Sequence, residues 1–272
     1  MATVLSEPRI HHTQSGDVPI AYGDTGRGDT ALLCLPGWCS SRAMFAPVVP
    51  ALARRHRVLA LDWRGHGDSG MPLSDFGLDE LVADALAVIA AAGAKRIVPV
   101  ATSHAGWVAI ELRRRLGARV AKLVLLDWIV LEPPPPFLDA LKGFADPGRA
   151  LKIRDGLFAM WSGAPVNDEV AAYIRRDMGG YPAALWGRAG RTIAASYAAA
   201  GTPLQAIAAL APPPPTLHLY AQPRDPAYLG AQRSFAAAHP WFRVERLDGS
   251  THFPTVESPA AAAAAIARFA AD

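Results

Sequence analysis

Along the first half of the chain the apolar positions change rhythm repeatedly. Short, nearly continuous apolar runs at 31–35, 58–62, 97–100 and 123–126 read as strands buried on both faces. Between them, apolar residues recur on one helical face, which predicts helices near 44–53, through 78–92 and from 107 to 116. Strands alternating with helices predict a parallel central sheet, hence an α/β fold. The rhythm breaks at the proline run 133–136, and the chain to about 210 is helical in composition with no convincing strand. A second proline run, 212–215, leads into a strand at 216–220, then a last strand at 243–247 and an alanine-rich helix. The pattern predicts a core built from 1–132 and 212–272, with a helical cap inserted over 133–211 and hinged at the two proline runs.

Composition narrows the picture further. A chain of 272 residues, 51% of them hydrophobic, can bury one large core, yet no apolar run approaches the 18 or more residues of a spanning helix. A net charge of +3 with dispersed arginines argues against a nucleic-acid partner, and no membrane partner is expected. The one basic cluster, Arg54, Arg55, His56 and Arg57, reads as a solvated helix end before a strand. Residues 1–10, which include Glu7 and Pro8, lack the basic start and apolar centre of a signal peptide, so a cytoplasmic location is expected. Two cysteines, Cys34 and Cys39, are too few for a disulfide framework, and neither a metal nor a catalytic role is assigned to them.

The candidate chemistry begins at Ala101-Thr102-Ser103-His104-Ala105-Gly106-Trp107. A serine between small residues, after a strand and before a helix, is the pattern of a nucleophile elbow, here with alanine at both usual glycine positions. Ligands of open α/β sheets bind beyond the carboxyl ends of the strands, which puts Trp38, Ser103 and Asp127 on one rim. His252 lies in the turn Gly249-Ser250-Thr251-His252-Phe253-Pro254, between the last strand and the last helix. The chain order Ser, Asp, His is that of α/β-hydrolase-type sites. Two acids compete to orient His252. Asp225 sits in Gln222-Pro223-Arg224-Asp225-Pro226, where Arg224 can neutralise it. Asp127 follows four apolar residues and precedes Trp128, a setting in which an ionised carboxylate needs a partner such as an imidazolium, and it is the preferred acid.

Pro36-Gly37-Trp38 follows a strand at the place where this architecture supplies one main-chain N–H of an oxyanion hole, and His104 supplies the other. The Trp38 side chain makes a broad, flat pocket, to which Trp161 and Trp186 of the cap either add walls or simply pack between helices. Asp62-Trp63-Arg64-Gly65-His66-Gly67 reads as a structural loop.

Together these residues resemble one branch of the α/β-hydrolase superfamily, the cofactor-independent dioxygenases that cleave 3-hydroxy-4(1H)-quinolones. The likeness is carried by Leu35-Pro36-Gly37-Trp38-Cys39, by the Asp62 to Gly67 loop, by Ser103-His104 before Gly106-Trp107, and by Asp127-Trp128. It continues through Gly156-Leu157-Phe158 with Trp161, Trp186-Gly187-Arg188 with Gly190-Arg191, His239-Pro240-Trp241-Phe242 and Thr251-His252-Phe253-Pro254. The chain departs from the pattern at Ala105 and at Ser40-Ser41.

The resemblance implies an α/β-hydrolase fold with a helical cap and a small aromatic N-heterocycle and O2 as partners. It implies that no cofactor and no metal are used. His252, paired with Asp127, is implied to remove the substrate's 3-hydroxyl proton. The electron-rich anion then reacts with O2, and ring opening releases carbon monoxide and an N-acylanthranilate. Imidazole, with an ordinary pKa of about 6.5, suits such a hydroxyl. Ser103 is implied to hold the substrate by a hydrogen bond, while Trp38, His104, Trp161 and Trp186 surround it. Two rival readings use the same residues: a serine ester or amide hydrolase with Ser103 as nucleophile, and a non-catalytic module that binds a small hormone-like ligand.

Overall fold

Apolar runs with no polar face must be covered on both sides, and this requirement places them at the centre of a single sheet. The computed structural model describes residues 9–271; most of the N-terminal stretch weighed for a signal peptide lies outside the described residues. The strands are β1 (Ile10–Ser15), β2 (Val18–Thr25), β3 (Thr30–Leu35), β4 (Arg57–Leu61), β5 (Arg96–Thr102), β6 (Leu123–Leu126), β7 (Thr216–Tyr220) and β8 (Phe242–Arg246). They form an eight-stranded sheet in the order β1-β2-β4-β3-β5-β6-β7-β8. From β4 to β8 all neighbours run parallel, whereas β2 is antiparallel to both β1 and β4. Leu33, Leu35, Leu59, Leu61, Ile97 and Val100 are fully buried along its middle. This is the α/β-hydrolase architecture expected from the sequence.

The helices are α1 (Val49–Leu52), α2 (Leu78–Ala91), α3 (Ala105–Leu116), α4 (Pro135–Gly143), α5 (Pro147–Trp161), α6 (Asp168–Tyr173), α7 (Ala183–Ala200), α8 (Pro203–Ala208), α9 (Pro226–Ala238), α10 (Pro254–Glu257) and α11 (Pro259–Ala271). The helix expected over 44–53 is instead a 3-10 turn, Arg42–Phe45, followed by the single turn α1. Pro47 and Pro50 explain the break, since neither has an N–H to continue a helical ladder, and Pro50 is tolerated only in the first turn of α1. The β1–β2 hairpin is absent from the sequence reading. Its signal was the two-residue turn Gly16-Asp17 between Ser15 and Val18, which pair directly across it. In the basic cluster, Arg54 and Arg55 are exposed, but Arg57 opens β4 and its Nη2 donates to Asp24 Oδ2 at 2.5 Å.

The segment between β6 and β7 holds α4 to α8, and α7 packs against α4 and α5. Below it, strands β3, β5 and β6 are neighbours whose carboxyl ends share one rim. Just past these ends stand Cys39, Ser103 and Asp127, with φ of 48°, 52° and 44°; among the described residues they are the non-glycine positions with positive φ. Each such backbone costs about 1–3 kcal/mol, so strain gathers where the three loops leave the sheet.

Two glycines allow the close approaches that shape this rim. A Cβ on Gly106 would meet the Trp128 ring at 2.1 Å, so glycine lets the first turn of α3 rest on that indole. Gly67, at φ 51°, would drive a Cβ to 2.2 Å from the Asp62 carboxylate. Asp62 accepts from the main-chain N–H groups of Arg42 and Asp68, at 2.7 and 2.9 Å, and the buried Arg64 pairs with Asp84 of α2 at 2.6 Å. The Asp62 to Gly67 loop is therefore braced by its own charges.

Candidate active site

Asp127 leaves β6 with its carboxylate turned under the end of β7. Its Oδ2 accepts from the main-chain N–H groups of Ala221 and Gln222, at 2.7 and 3.1 Å. Its Oδ1 accepts from Nδ1–H of His252 at 2.9 Å. A carboxylate oxygen can only accept, so Nδ1 is the donor of this pair, and in the neutral imidazole Nε2 is the nitrogen that carries the lone pair. Asp127 is 2% exposed and His252 15%, so the acid is buried while the imidazole reaches the cavity.

Two further contacts fix the imidazole. Its ring stacks on Trp161 at 5.0 Å with 20° between planes, and its main-chain N–H donates to Trp161 carbonyl oxygen at 3.0 Å. Glu257 of α10 clamps the preceding turn by accepting from Ser250 N–H, Thr251 N–H and the Thr251 hydroxyl. The Gln222 side chain then joins the end of α5 to the histidine turn, donating to Met160 and Ser250 carbonyl oxygens at 2.9 Å each. Neither Glu257 nor Gln222 was singled out from sequence. A carboxylate or amide that acts through main-chain groups leaves no motif.

Asp225 is elsewhere employed. It caps α9, its side chain accepting from Ala227 N–H at 2.8 Å, so the choice between the two acids falls to Asp127 by geometry.

Above the pair lies a cavity of about 510 Å³ of unfilled space, part of it open to solvent. Ser103, Trp38, His104, Trp161, Trp186 and His252 all line it. The cap tryptophans thus do both things considered for them: Trp161 and Trp186 stand 6.5 Å apart, Phe158 lies against each, and all the while they wall the cavity. Phe137, Leu141 and Phe144 complete the cap side. These three were missed, although their spacing of four and then three along the chain is that of one helix face.

Ser103 marks the turn from β5 into α3, where its main-chain N–H donates to Leu126 carbonyl oxygen at 2.8 Å. Among the described residues no hydrogen bond joins the Ser103 hydroxyl to His252, and none occupies the main-chain N–H of Trp38 or of His104. The His104 ring stacks on Phe137 at 5.6 Å and meets the edge of Tyr197 at 6.3 Å. Burial, with repulsion from His252 as a smaller cause, pushes the His104 pKa down to about 3, so this ring is neutral at pH 7. No group of His, Cys, Asp and Glu among the described residues is arranged to hold a metal ion, and no helix there is long and apolar enough to cross a membrane.

Burial likewise pushes His66 and His218 down to about 4. Folded, all three rings remain neutral well below the unfolded value of about 6.5, so below that pH the unfolded chain binds more protons. Their stabilising effect is intact above pH 6.5 and is lost progressively towards pH 4. Calorimetry is expected to show Tm falling over this window; a flat Tm from pH 6.5 to 5 contradicts the buried neutral rings.

A model of the alpha/beta hydrolase family matches residues 32–265. The 2-heptyl-3-hydroxy-4(1H)-quinolone dioxygenase of Mycobacteroides abscessus is 38% identical over 249 residues, covering 91% of this chain and 93% of its own. The 1H-3-hydroxy-4-oxoquinoline 2,4-dioxygenase of Pseudomonas putida is 37% identical, with coverage of 92% and 95%. The chain belongs to the 3-hydroxy-4-quinolone dioxygenase family. Its likeness to a solved family structure is equally extensive. An AqdC variant in complex with its substrate, described for recognition and ring-cleavage of the Pseudomonas quinolone signal, superimposes with a TM-score of 0.92. That chain is 36% identical, and the match covers 97% of the present chain and 99% of the other.

Proposed function

We propose that the protein is a dioxygenase that opens the heterocycle of a 2-alkyl-3-hydroxy-4(1H)-quinolone with O2, giving an N-acylanthranilate and carbon monoxide. The observation that carries this reading is His252, held by the buried Asp127 and stacked on Trp161, in a tryptophan-walled cavity. Such a cavity suits a flat aromatic ring, and Nε2 of His252 is the base that faces it.

In this reading Nε2 takes the 3-hydroxyl proton, and Asp127 stabilises the imidazolium that forms. The main-chain N–H groups of Trp38 and His104 receive the charge that develops on the ring oxygen. The ring anion supplies the electrons that reduce O2, forming a C–O bond at C2. The resulting peroxide attacks the C4 carbonyl, and the bridged intermediate collapses with cleavage of the C2–C3, C3–C4 and O–O bonds, leaving one oxygen of O2 on C2 as the acyl oxygen and one on C4 as part of the carboxylate. C3 leaves as carbon monoxide with the oxygen it carried as the 3-hydroxyl, so both atoms of O2 remain in the acylanthranilate. Ser103 orients the ring by hydrogen bonding and forms no covalent intermediate.

The segment 133–211 acts as the cap of a core formed by 1–132 and 212–272, closing Trp161 and Trp186 over the bound ring. We assign the enzyme to the cytoplasm.

The Ser103→Ala variant tests the reading against a serine hydrolase. Oxygen uptake and carbon monoxide release with a 3-hydroxy-4(1H)-quinolone are expected to survive, with KM raised about ten-fold as one substrate hydrogen bond is lost. Abolished turnover of an activated ester, with no oxygen uptake by the unaltered enzyme, establishes the hydrolase instead.

A further inference from the structure

Behind Trp38 and His104 lies a second cavity, set between α2, the start of α3, and α7. Its unfilled space is about 450 Å³, close to the 510 Å³ of the active-site cavity on the same measure. Leu81, Val108, Trp63 and Trp107 are among its walls. Trp38, His104 and Ile193 line both this cavity and the active-site cavity. On the opposite side, Phe76, Leu78, Thr192 and Ser196 line both this cavity and an open surface groove. The three spaces therefore adjoin one another between solvent and the reacting centre, separated only by these shared side chains. At the outer end Asp75 binds Arg188 and Arg191, and the Arg188 guanidinium lies 4.3 Å above the Phe76 ring, so the mouth is pinned between core and cap.

Resting on the proposed reaction, we infer that this line of spaces is a conduit for a diatomic gas, carrying O2 to the quinolone anion while the organic substrate fills the main cavity. The reaction needs a small apolar molecule to arrive after a large aromatic one has bound. A preformed, mainly apolar cavity takes up such a solute from water. Water is the competing occupant, because His66 Nε2 and Trp107 Nε1 in the walls have no hydrogen-bond partner.

Crystals of the unaltered protein under xenon pressure test the cavity, and steady-state kinetics test the route. Xenon is expected between Leu81 and Ile193, and the same gas dissolved in the assay is expected to raise the KM for O2. The Ser196→Leu variant, which narrows the passage from the groove, is expected to raise the O2 KM about ten-fold, with the quinolone KM and kcat at saturating O2 unchanged. Ordered water in place of xenon overturns the inference. So does an O2 KM that neither xenon nor a folded Ser196→Leu variant moves. Enzyme that takes up no oxygen with any 3-hydroxy-4(1H)-quinolone fails the reaction itself, a result read before either gas experiment.

Discussion

Replacing His252 by alanine is expected to lower kcat about 10³-fold, the scale of a positioned general base. Nε2 is the lone pair that the Asp127 contact leaves available, and burial keeps His104, the other imidazole of the cavity, neutral with a pKa near 3. A base that protonates only near pH 3 takes up a hydroxyl proton poorly at pH 7. His104 is therefore no substitute. Substrate binding is expected to persist, because Trp38, Trp161 and Trp186 still wall the cavity. Raising the pH ionises the 3-hydroxyl without help, so the deficit shrinks in alkali if the lost function is proton removal. Oxygen uptake measured across pH, beside quinolone binding at pH 7, reads both effects. Undiminished uptake in His252→Ala contradicts the assignment of the base, and a deficit that stays constant with pH contradicts proton removal as its role.

The second large effect is expected from Asp127→Asn, a fall in kcat of about 10²–10⁴-fold. The carboxylate accepts on both oxygens, from His252 on one and from the N–H groups of Ala221 and Gln222 on the other. An amide can accept on one side only. With its oxygen towards Ala221 and Gln222, its NH2 faces Nδ1 and selects the tautomer with the proton on Nε2, which removes the base. With its oxygen towards His252, its NH2 meets two N–H donors. Asp127→Ala leaves the buried Ala221 N–H without an acceptor, at a cost of about 1–3 kcal/mol, and the partly buried Gln222 N–H without one too, besides releasing the imidazole. Asp127→Asn is thus expected to lose activity with little change in Tm, whereas Asp127→Ala loses both. Equal losses of Tm in the two variants overturn this account.

The central sheet was legible because apolar runs such as 31–35 and 123–126 have no polar face and must be buried on both sides. The β1–β2 hairpin was not, since a half-exposed edge strand such as Ile10–Ser15 carries a weaker pattern. The helix expected over 44–53 failed for the opposite reason: its apolar spacing was helical, but two prolines within it prevented continuous hydrogen bonding. At the site, Ser103, Asp127 and His252 could be named because each follows a strand, and strand ends of an open α/β sheet meet on one rim. Glu257, Gln222 and Phe137 could not, because their parts depend on which main-chain groups and rings fold beside them.

By itself, then, the sequence determined the class of fold, the strand ends at which chemistry collects, and the family whose motifs run from Trp38 to His252. Local periodicity and strand-end position suffice for these. Only the tertiary structure decided that Asp127 and not Asp225 holds the histidine, because both acids follow strands and only folding shows which one caps a helix. Only it stacked Trp161 on His252 and opened a second cavity behind Trp38 and His104. Asp127 and His252 lie 125 positions apart, and a contact at that separation is set by the packing of whole elements.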